Sequence, residues 1–248
     1  MIVIPMAGES RRFLAAGYDR PKYMLPLEGR PLFDWTILSF QTLFAAEPFL
    51  FIARDVHGTA AFIRDRLTAL GLPRAEVVLL QAPTAGQAET VEQGLAAAAV
   101  ADDMPLAIFN IDTIRPGIAE TALPGTEGWL EVFRSTGDNW SFVEPEAPGS
   151  PFVRRCTEKQ RISDLCCTGL YAFAAARHFH EALAAERAAP SSHELFVAPL
   201  YNHLIARGQR IAWREVPAER VILAGVPAEY EALRATPGAL TAAFELKD

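Results

Sequence analysis

Small and basic residues near the amino terminus have the types and spacing of a phosphate-binding site. An apolar run at residues 1–6 breaks into Ala7 and Gly8, and the cations Arg12 and Lys22 follow. Small residues let backbone N–H groups approach an anion, and cations balance its charge. Arg12 offers a planar fork for two phosphate oxygens, whereas Lys22 is a point charge on a flexible stem. The pattern predicts a cradle for several phosphates and hence nucleotide chemistry, with a solvated basic loop as the alternative.

Asp112 is the second candidate, because it follows the apolar stretch Leu106–Phe109. An aspartate at the carboxyl end of a strand is well placed to hold Mg²⁺ against phosphate oxygens. Magnesium prefers oxygen ligands and usually takes only one or two carboxylates. Asn110 has the same strand parity and is expected to point to the same side of the chain. The sequence therefore predicts Asp112 as a metal ligand, and a turn-starting aspartate is the alternative.

The order of these residues resembles the sugar-phosphate nucleotidyltransferases. Residues 5–13, then Pro21-Lys22 and residues 25–27, are similar to the amino-terminal signature of that family. The resemblance implies a magnesium-dependent enzyme that joins a nucleoside triphosphate to a sugar 1-phosphate or a similar phosphorylated acceptor. Pyrophosphate would leave, and the activated nucleotide sugar would serve surface polysaccharide assembly. Ser10 stands where the family usually has a second glycine.

Short later segments extend the resemblance in the same order along the chain. Taken alone, they have plainer interpretations: a loop before a helix for residues 81–86, and a surface ion pair for Glu158-Lys159. The resemblance implies nucleotide binding by Ala7, Gly8, Glu9, Ser10, Gln81 and Gly86, phosphate contacts by Arg12 and Lys22, acceptor binding by Glu158, Lys159, Thr168 and Gly169, and metal binding by Asp112.

Leu223 departs from the family's pattern. Members usually carry a second metal aspartate shortly before a Gly-Thr-Pro, and here that place precedes Gly225-Val226-Pro227. Leucine cannot ligate a metal, and Glu219, four strand residues away, is roughly 13 Å distant. Either Asp112, phosphates and water hold the ion, or the enzyme is slow or inactive. Two alternatives therefore stay open: a glycosyltransferase with a related nucleotide-binding sheet, and a noncatalytic nucleotide-binding or regulatory module.

Length, composition and periodicity predict an α/β fold. The chain has 248 residues, 50% of them hydrophobic, which is enough for a large core. Short apolar runs alternate with helical patterns in the first half, as in βαβ units. The predicted fold is Rossmann-like, with a mixed, mostly parallel sheet flanked by helices. We expect a single domain over residues 1–248, with a nucleotide-binding half at about 1–115 and an acceptor-binding half at about 116–248. Predicted strands lie at residues 2–6, 49–53, 77–80, 106–109, 129–133, 140–143, 152–155, 166–173 and 211–216, with helices at 63–70, 90–99, 174–186, 193–207 and from 227.

Net charge and residue composition limit the kinds of binding partner that the sequence predicts. A net charge of −7 argues against nonspecific binding to nucleic acid. No apolar run approaches the roughly 20 residues that span a bilayer, and the first strand does not resemble a signal peptide. These patterns predict a cytoplasmic protein without a membrane partner. The five histidines show no catalytic pattern, and a homo-oligomer is left open.

Overall fold

A nine-stranded mixed sheet forms the core of the computed structural model, which describes residues 1–245. Strands within that range number thirteen, and four of them lie outside the large sheet in two small ribbons. The strands are β1 (Ile2–Pro5), β2 (Pro26–Leu27), β3 (Arg30–Pro31), β4 (Phe49–Arg54), β5 (Ala75–Leu80), β6 (Leu106–Phe109), β7 (Thr113–Ile114), β8 (Gly128–Arg134), β9 (Ser141–Pro145), β10 (Val153–Glu158), β11 (Leu165–Phe173), β12 (Ile211–Glu215) and β13 (Ile222–Leu223).

Eight α-helices and three short 3-10 turns connect the strands within residues 1–245. The helices are α1 (Arg11–Ala15), α2 (Leu32–Leu38), α3 (Thr59–Leu70), α4 (Gln87–Ala97), α5 (Ala176–Ala188), α6 (Leu200–Ala206), α7 (Pro227–Arg234) and α8 (Ala239–Glu245), and the 3-10 turns are Lys22–Met24, Gln41–Leu43 and Ala218–Arg220. None of the helices in this range has the length and apolar character that crossing a bilayer requires.

The centre of the sheet is parallel. Strand β1 lies between β4 and β6 and is parallel to both, and β5 extends this group at the sheet edge. Strand β11 then pairs antiparallel with β6 and brings β8, β9 and β10 into the sheet. Because β1 and β6 are parallel neighbours, the loops that follow them emerge side by side. The loop after β1 and Asp112 are therefore placed at the same edge of the sheet.

The central strands β1 and β6 are apolar because helices cover both faces of the sheet. On one face Val3 packs in a cluster with Leu95 of α4 and Leu183 of α5. On the other face Ile4 packs in a cluster with Ile63 of α3. All residues of β1 and β6 are buried, as expected of central parallel strands. The predicted α/β class with a mixed, mostly parallel central sheet is confirmed.

Two predicted helices differ most from the structure. The helix predicted at 193–207 begins only at Leu200, because Pro199 precedes it and the backbone of Leu195 pairs with Ala85 and Ala88. The helix predicted from residue 227 ends at Arg234, and α8 follows after Pro237-Gly238. In both regions a proline marks the boundary, because the residue before a proline is biased away from helical geometry.

Candidate functional site

Two adjoining cavities open where the parallel strands end. The larger cavity, of about 740 Å³, lies between the loop after β1 and the segment that enters α4. The smaller cavity, of about 420 Å³, lies between the 136–140 loop and the segment that enters α7. The residues that line both are Asn110, Asp112, Ser141, Glu158 and Tyr171. The cavities therefore meet just beyond β6, at the edge where open α/β sheets bind ligands.

Lys22, Asp112 and Arg12 converge where the cavities meet. Lys22 lines the larger cavity, Arg12 lines the smaller one, and Asp112 lines both. Lys22 Nζ donates a hydrogen bond to Asp112 Oδ2 at 2.5 Å. Burial acts to raise the pKa of Asp112, but the Lys22 ammonium outweighs burial and holds that pKa below its usual value, with a smaller contribution from Arg12. The structure thus brings the two predicted cations and the predicted metal carboxylate to one site.

The loop after β1 forms a wall of the larger cavity. Ala7, Gly8 and Ser10 all line it. Ser10 has a φ of 50°, in the left-handed region that favours glycine. Its Oγ accepts a hydrogen bond from the backbone N–H of Lys22 at 3.2 Å. Serine therefore adopts the conformation that a glycine would take here, and its hydroxyl ties the loop to the lysine.

Glu9 also lines the larger cavity, but its carboxylate is engaged by arginines. Oε1 accepts from Arg54 Nη1 at 3.0 Å, and Oε2 accepts from Arg11 Nε at 2.7 Å. Arg54 ends β4, so the pair fastens the loop to the neighbouring strand. The side chain of Glu9 thus has a role in holding the loop, and nucleotide contact by this residue stays a prediction.

The two residues predicted to bind the base lie in different environments. Gln81 is exposed just beyond β5 and lines neither cavity. Gly86 lines the larger cavity and has a φ of 152°. A Cβ on Gly86 would lie 2.5 Å from the carbonyl oxygen of Leu195. The N–H of Leu195 also donates a hydrogen bond to the carbonyl oxygen of Ala85 at 3.0 Å. A close backbone approach therefore requires glycine at this position, and the structure brings Gly86 but not Gln81 to the site.

Gly86→Ala is expected to destabilise the protein. The new methyl group would collide with the Leu195 backbone, and overpacking of this kind costs roughly 1–3 kcal/mol. Urea unfolding followed by circular dichroism measures the loss. Gly8→Ala is the matched control, because a Cβ at Gly8 meets nothing within 4 Å. Equal unfolding free energies for the two variants would show that Leu195 does not approach Gly86 in solution.

Glu158 lies at the point where the two cavities meet. The Ser141 hydroxyl donates to the Glu158 carboxylate and lies 3.2 Å from the hydroxyl of Tyr171. Burial raises the pKa of Glu158 above its usual value, and the hydrogen bond from Ser141 opposes that rise. The three side chains form a small polar cluster that can accept from and donate to a polyhydroxylated ligand. Glu158 is therefore a cavity residue rather than part of a surface ion pair.

Of the other three residues predicted to bind the acceptor, Thr168 alone lines one of the two cavities. Lys159 is exposed and lines neither cavity, and its Nζ lies 4.6 Å from the ring centroid of Phe196. Thr168 lines the smaller cavity but is buried, and its hydroxyl donates to Glu131 Oε1 at 3.1 Å. Gly169 lies directly behind Asn110, since a Cβ there would be 2.6 Å from Asn110 Nδ2. Thr168 and Gly169 thus support the cavity walls.

The segment after β13 closes the smaller cavity beside Asp112. Leu223 pairs with Thr113 in the β7–β13 ribbon and lines this cavity. A Cβ on Gly225 would lie 3.0 Å from Asp112 Oδ2. Glu229 lines the same cavity and accepts a hydrogen bond from the Gly225 N–H at 2.8 Å. An apolar residue, a glycine and a helix-capping carboxylate therefore surround the aspartate.

Asp112 has the chemistry that a magnesium site needs. Its carboxylate is a hard oxygen donor, and the Lys22 ammonium 2.5 Å away shows that this oxygen binds a cation. Within residues 1–245 no group of three histidine, cysteine or acidic side chains is arranged to hold a metal ion. Phosphate oxygens and water would complete the coordination, as is usual for magnesium held by one or two carboxylates.

Several residues at the site were not predicted from the sequence. Gln87 begins α4, and its Nε2 donates to Asn110 Oδ1 at 2.6 Å across the larger cavity. His193 lines that cavity on the segment that crosses the 84–88 loop, although the sequence indicated no role for it. Glu229 lies three residues after Val226 at the start of α7. Its carboxylate accepts from the N–H of Val226 at 3.1 Å, but valine lacks the polar side chain of a capping box, so the sequence pattern did not indicate Glu229.

Residues 2–128 match the family described as the MobA-like NTP transferase domain. A nucleoside-diphosphate-sugar pyrophosphorylase from Vibrio cholerae RC9 is 44% identical, with a TM-score of 0.89 over 95% of this chain and 100% of that chain. None of the curated proteins matches this chain in sequence.

Two more distant solved structures share the fold. One is a Bacillus anthracis protein named provisionally as a glucose-1-phosphate thymidylyltransferase, in complex with a sucrose; it is 14% identical, with a TM-score of 0.75 over 100% of this chain and 96% of that chain. The other is the inositol-1-phosphate CTP transferase from T. maritima, which is 13% identical, with a TM-score of 0.72 over 98% of this chain and 95% of that chain. At these identities the likeness extends to the fold alone.

Proposed function

This chain belongs to the MobA-like NTP transferase family, and from that membership we propose that it transfers a nucleotidyl group from a nucleoside triphosphate to a sugar 1-phosphate or a similar phosphorylated acceptor. Pyrophosphate is the second product, and the activated nucleotide sugar would feed polysaccharide assembly. The similarity to the nucleoside-diphosphate-sugar pyrophosphorylase from Vibrio cholerae supports this class of reaction.

The observation that carries the proposal is the convergence of Arg12, Lys22 and Asp112 on one site beside the loop after β1. A triphosphate lying against that loop meets Lys22 on one side and Arg12 on the other, with Asp112 between them. Positive charge placed where phosphate charge develops is the main catalytic device in phosphoryl transfer. The arrangement therefore supports chemistry at the phosphates rather than at the base or the ribose.

The proposed reaction is an in-line displacement at the α-phosphorus. A phosphate oxygen of the acceptor forms the new P–O bond, the bond between the α-phosphorus and the bridging oxygen breaks, and the electron pair leaves with pyrophosphate. The acceptor phosphate is already a competent nucleophile, so no protein nucleophile or general base is required. Lys22 would balance charge on the α-phosphate and Arg12 on the departing β- and γ-phosphates, while the cavity walls fix the line of attack.

Asp112 would hold the magnesium ion, which when bound supplies charge neutralisation for the phosphate oxygens. Leu223 adds no ligand, so phosphates and water would complete the coordination. For the acceptor, Glu158 and Ser141 are polar groups that line both cavities, and they would accept from and donate to hydroxyl groups. Lys159 would reach an acceptor phosphate only after leaving the ring of Phe196.

The test is an assay of the purified protein with magnesium, the common ribo- and deoxyribonucleoside triphosphates, and a panel of sugar 1-phosphates and other phosphorylated alcohols. The proposal predicts pyrophosphate and a nucleotide-linked product in equal amounts for at least one pair. A glycosyltransferase would form no pyrophosphate in this assay, and in a parallel assay with nucleotide sugars it would release a nucleoside diphosphate. A noncatalytic module would bind nucleotide and release neither product, and that result would contradict the proposal.

A further inference from the structure

The ammonium of Lys22 occupies the carboxylate that a metal ion would need. Lys22 Nζ and Asp112 Oδ2 lie 2.5 Å apart, and the two residues are 90 positions apart in the chain. The Lys22 side chain is 20% exposed and the Asp112 side chain 25% exposed, so most of the pair is shielded from water. A partly buried pair attracts more strongly than a fully exposed one. The contact is therefore a specific feature of the site rather than a transient surface pair.

The side chain of Lys22 can move between two partners while its backbone stays in place. Pro21 precedes it, and its N–H donates to Ser10 Oγ at 3.2 Å, so its backbone is tied to the loop after β1. The side chain is a flexible four-carbon stem. It lines the same cavity as Ala7, Gly8 and Ser10, where the phosphates are proposed to lie. The ammonium can therefore reach either the Asp112 carboxylate or a phosphate beside the loop.

An ammonium and a divalent cation compete for Asp112. Both are attracted to the same carboxylate, and at contact distance in a partly buried site they repel each other. Arg12 lies near enough to act on Asp112 as well, which adds positive charge on the other side. A divalent ion that binds first must displace Lys22 and leave its ammonium without a partner. A triphosphate offers that ammonium a more highly charged partner.

We propose that Lys22 is a built-in counter-ion of Asp112: a divalent cation has to displace the Lys22 ammonium in order to bind Asp112, and the nucleotide phosphates offer that ammonium its other partner. Nucleotide and metal then bind cooperatively, because each one relieves the same ion pair. By linkage, the factor by which nucleotide tightens metal binding equals the factor by which metal tightens nucleotide binding. The nucleotide part rests on the proposed function, whereas the competition between Lys22 and a divalent ion does not.

The test measures Mn²⁺ binding to the chelator-treated full-length protein without nucleotide or acceptor, by electron paramagnetic resonance of free Mn²⁺. Lys22→Met removes the ammonium and keeps the length of the side chain. We expect this variant to bind Mn²⁺ about 10-fold more tightly than the unchanged protein, within the range of measured coupling effects. Lys22→Met combined with Asp112→Asn should lose the gain, which would locate the ion at Asp112.

Arg11→Met is the matched control. Arg11 also lines the larger cavity, but it pairs with Glu9 and not with Asp112, so its loss should leave Mn²⁺ affinity unchanged. Lys22→Gln replaces Lys22→Met if the thermal unfolding curve of the methionine variant shows a loss of folding. Mn²⁺ affinity that is equal or weaker in the Lys22 variant overturns the inference. An inactive protein whose Lys22 variant still gains affinity would contradict the proposed reaction and leave this inference standing.

Discussion

Lys22→Ala is expected to lower the turnover number by about 100-fold or more, with a smaller change in the substrate concentration for half-maximal rate. The ammonium faces the loop after β1 and the Asp112 carboxylate, where charge on the α-phosphate would develop during transfer. Loss of one preorganised group that stabilises such charge typically reduces turnover by 10²–10³-fold. Arg12 lies on the opposite side of Asp112, and we expect Arg12→Ala to lower the turnover number by a factor of the same order.

The measurement is steady-state release of pyrophosphate with the best substrate pair. Arg64→Ala is the control, because Arg64 is an exposed cation on α3 that lines neither site cavity. Thermal unfolding curves of all three variants check that they are folded. If Arg12→Ala and Lys22→Ala both retain the unchanged turnover number, the proposed roles of these cations are wrong.

Asp112→Asn should reduce turnover by about 100-fold or more as well, again by analogy with lost electrostatic groups. Asparagine has nearly the same shape, but it lacks the charge that attracts a divalent ion and that now neutralises Lys22. Raising the magnesium concentration should therefore recover only part of the lost rate. The rate is measured over a series of magnesium concentrations with saturating nucleotide and acceptor.

Asp103→Asn is the matched control for this prediction. Asp103 is exposed in the loop that leads into β6, at the opposite end of that strand from Asp112. The control should keep both the rate and its magnesium dependence. A magnesium response of Asp112→Asn that equals that of the control would remove Asp112 from the metal site.

The sequence predicted the part of the site whose position follows from the order of residues and strands along the chain. A buried strand, a small-residue loop and a downstream lysine occur within residues 2–22, and Asp112 directly follows a second buried strand. Parallel pairing of β1 with β6 then places the loop and Asp112 at one edge. Because these contacts follow from strand direction and order, pattern and resemblance were sufficient to predict that they would share a site.

The rest of the candidate site was harder to predict because long-range packing decides it. Residues 193–199 looked helical, but Leu195 instead donates to Ala85 and accepts from Ala88, so the segment crosses the loop before α4. Lys159 takes a φ of 54° and turns to the ring of Phe196 rather than into a cavity. No local pattern indicates either contact. Pro199 was the available signal that the helix begins later.

Nucleotidyl transfer is tested most directly by the fate of label from a triphosphate that carries radioactive phosphorus at either the α- or the γ-position. With the accepted substrate pair, we expect α-label in the nucleotide-linked product, and we expect pyrophosphate to be the only product that carries γ-label. The appearance of α-label in the nucleotide-linked product and of γ-label in pyrophosphate should nearly vanish in the variants Lys22→Ala and Asp112→Asn. Label from the γ-position in the organic product, or α-label that stays in nucleoside mono-, di- or triphosphate, would contradict nucleotidyl transfer by this site.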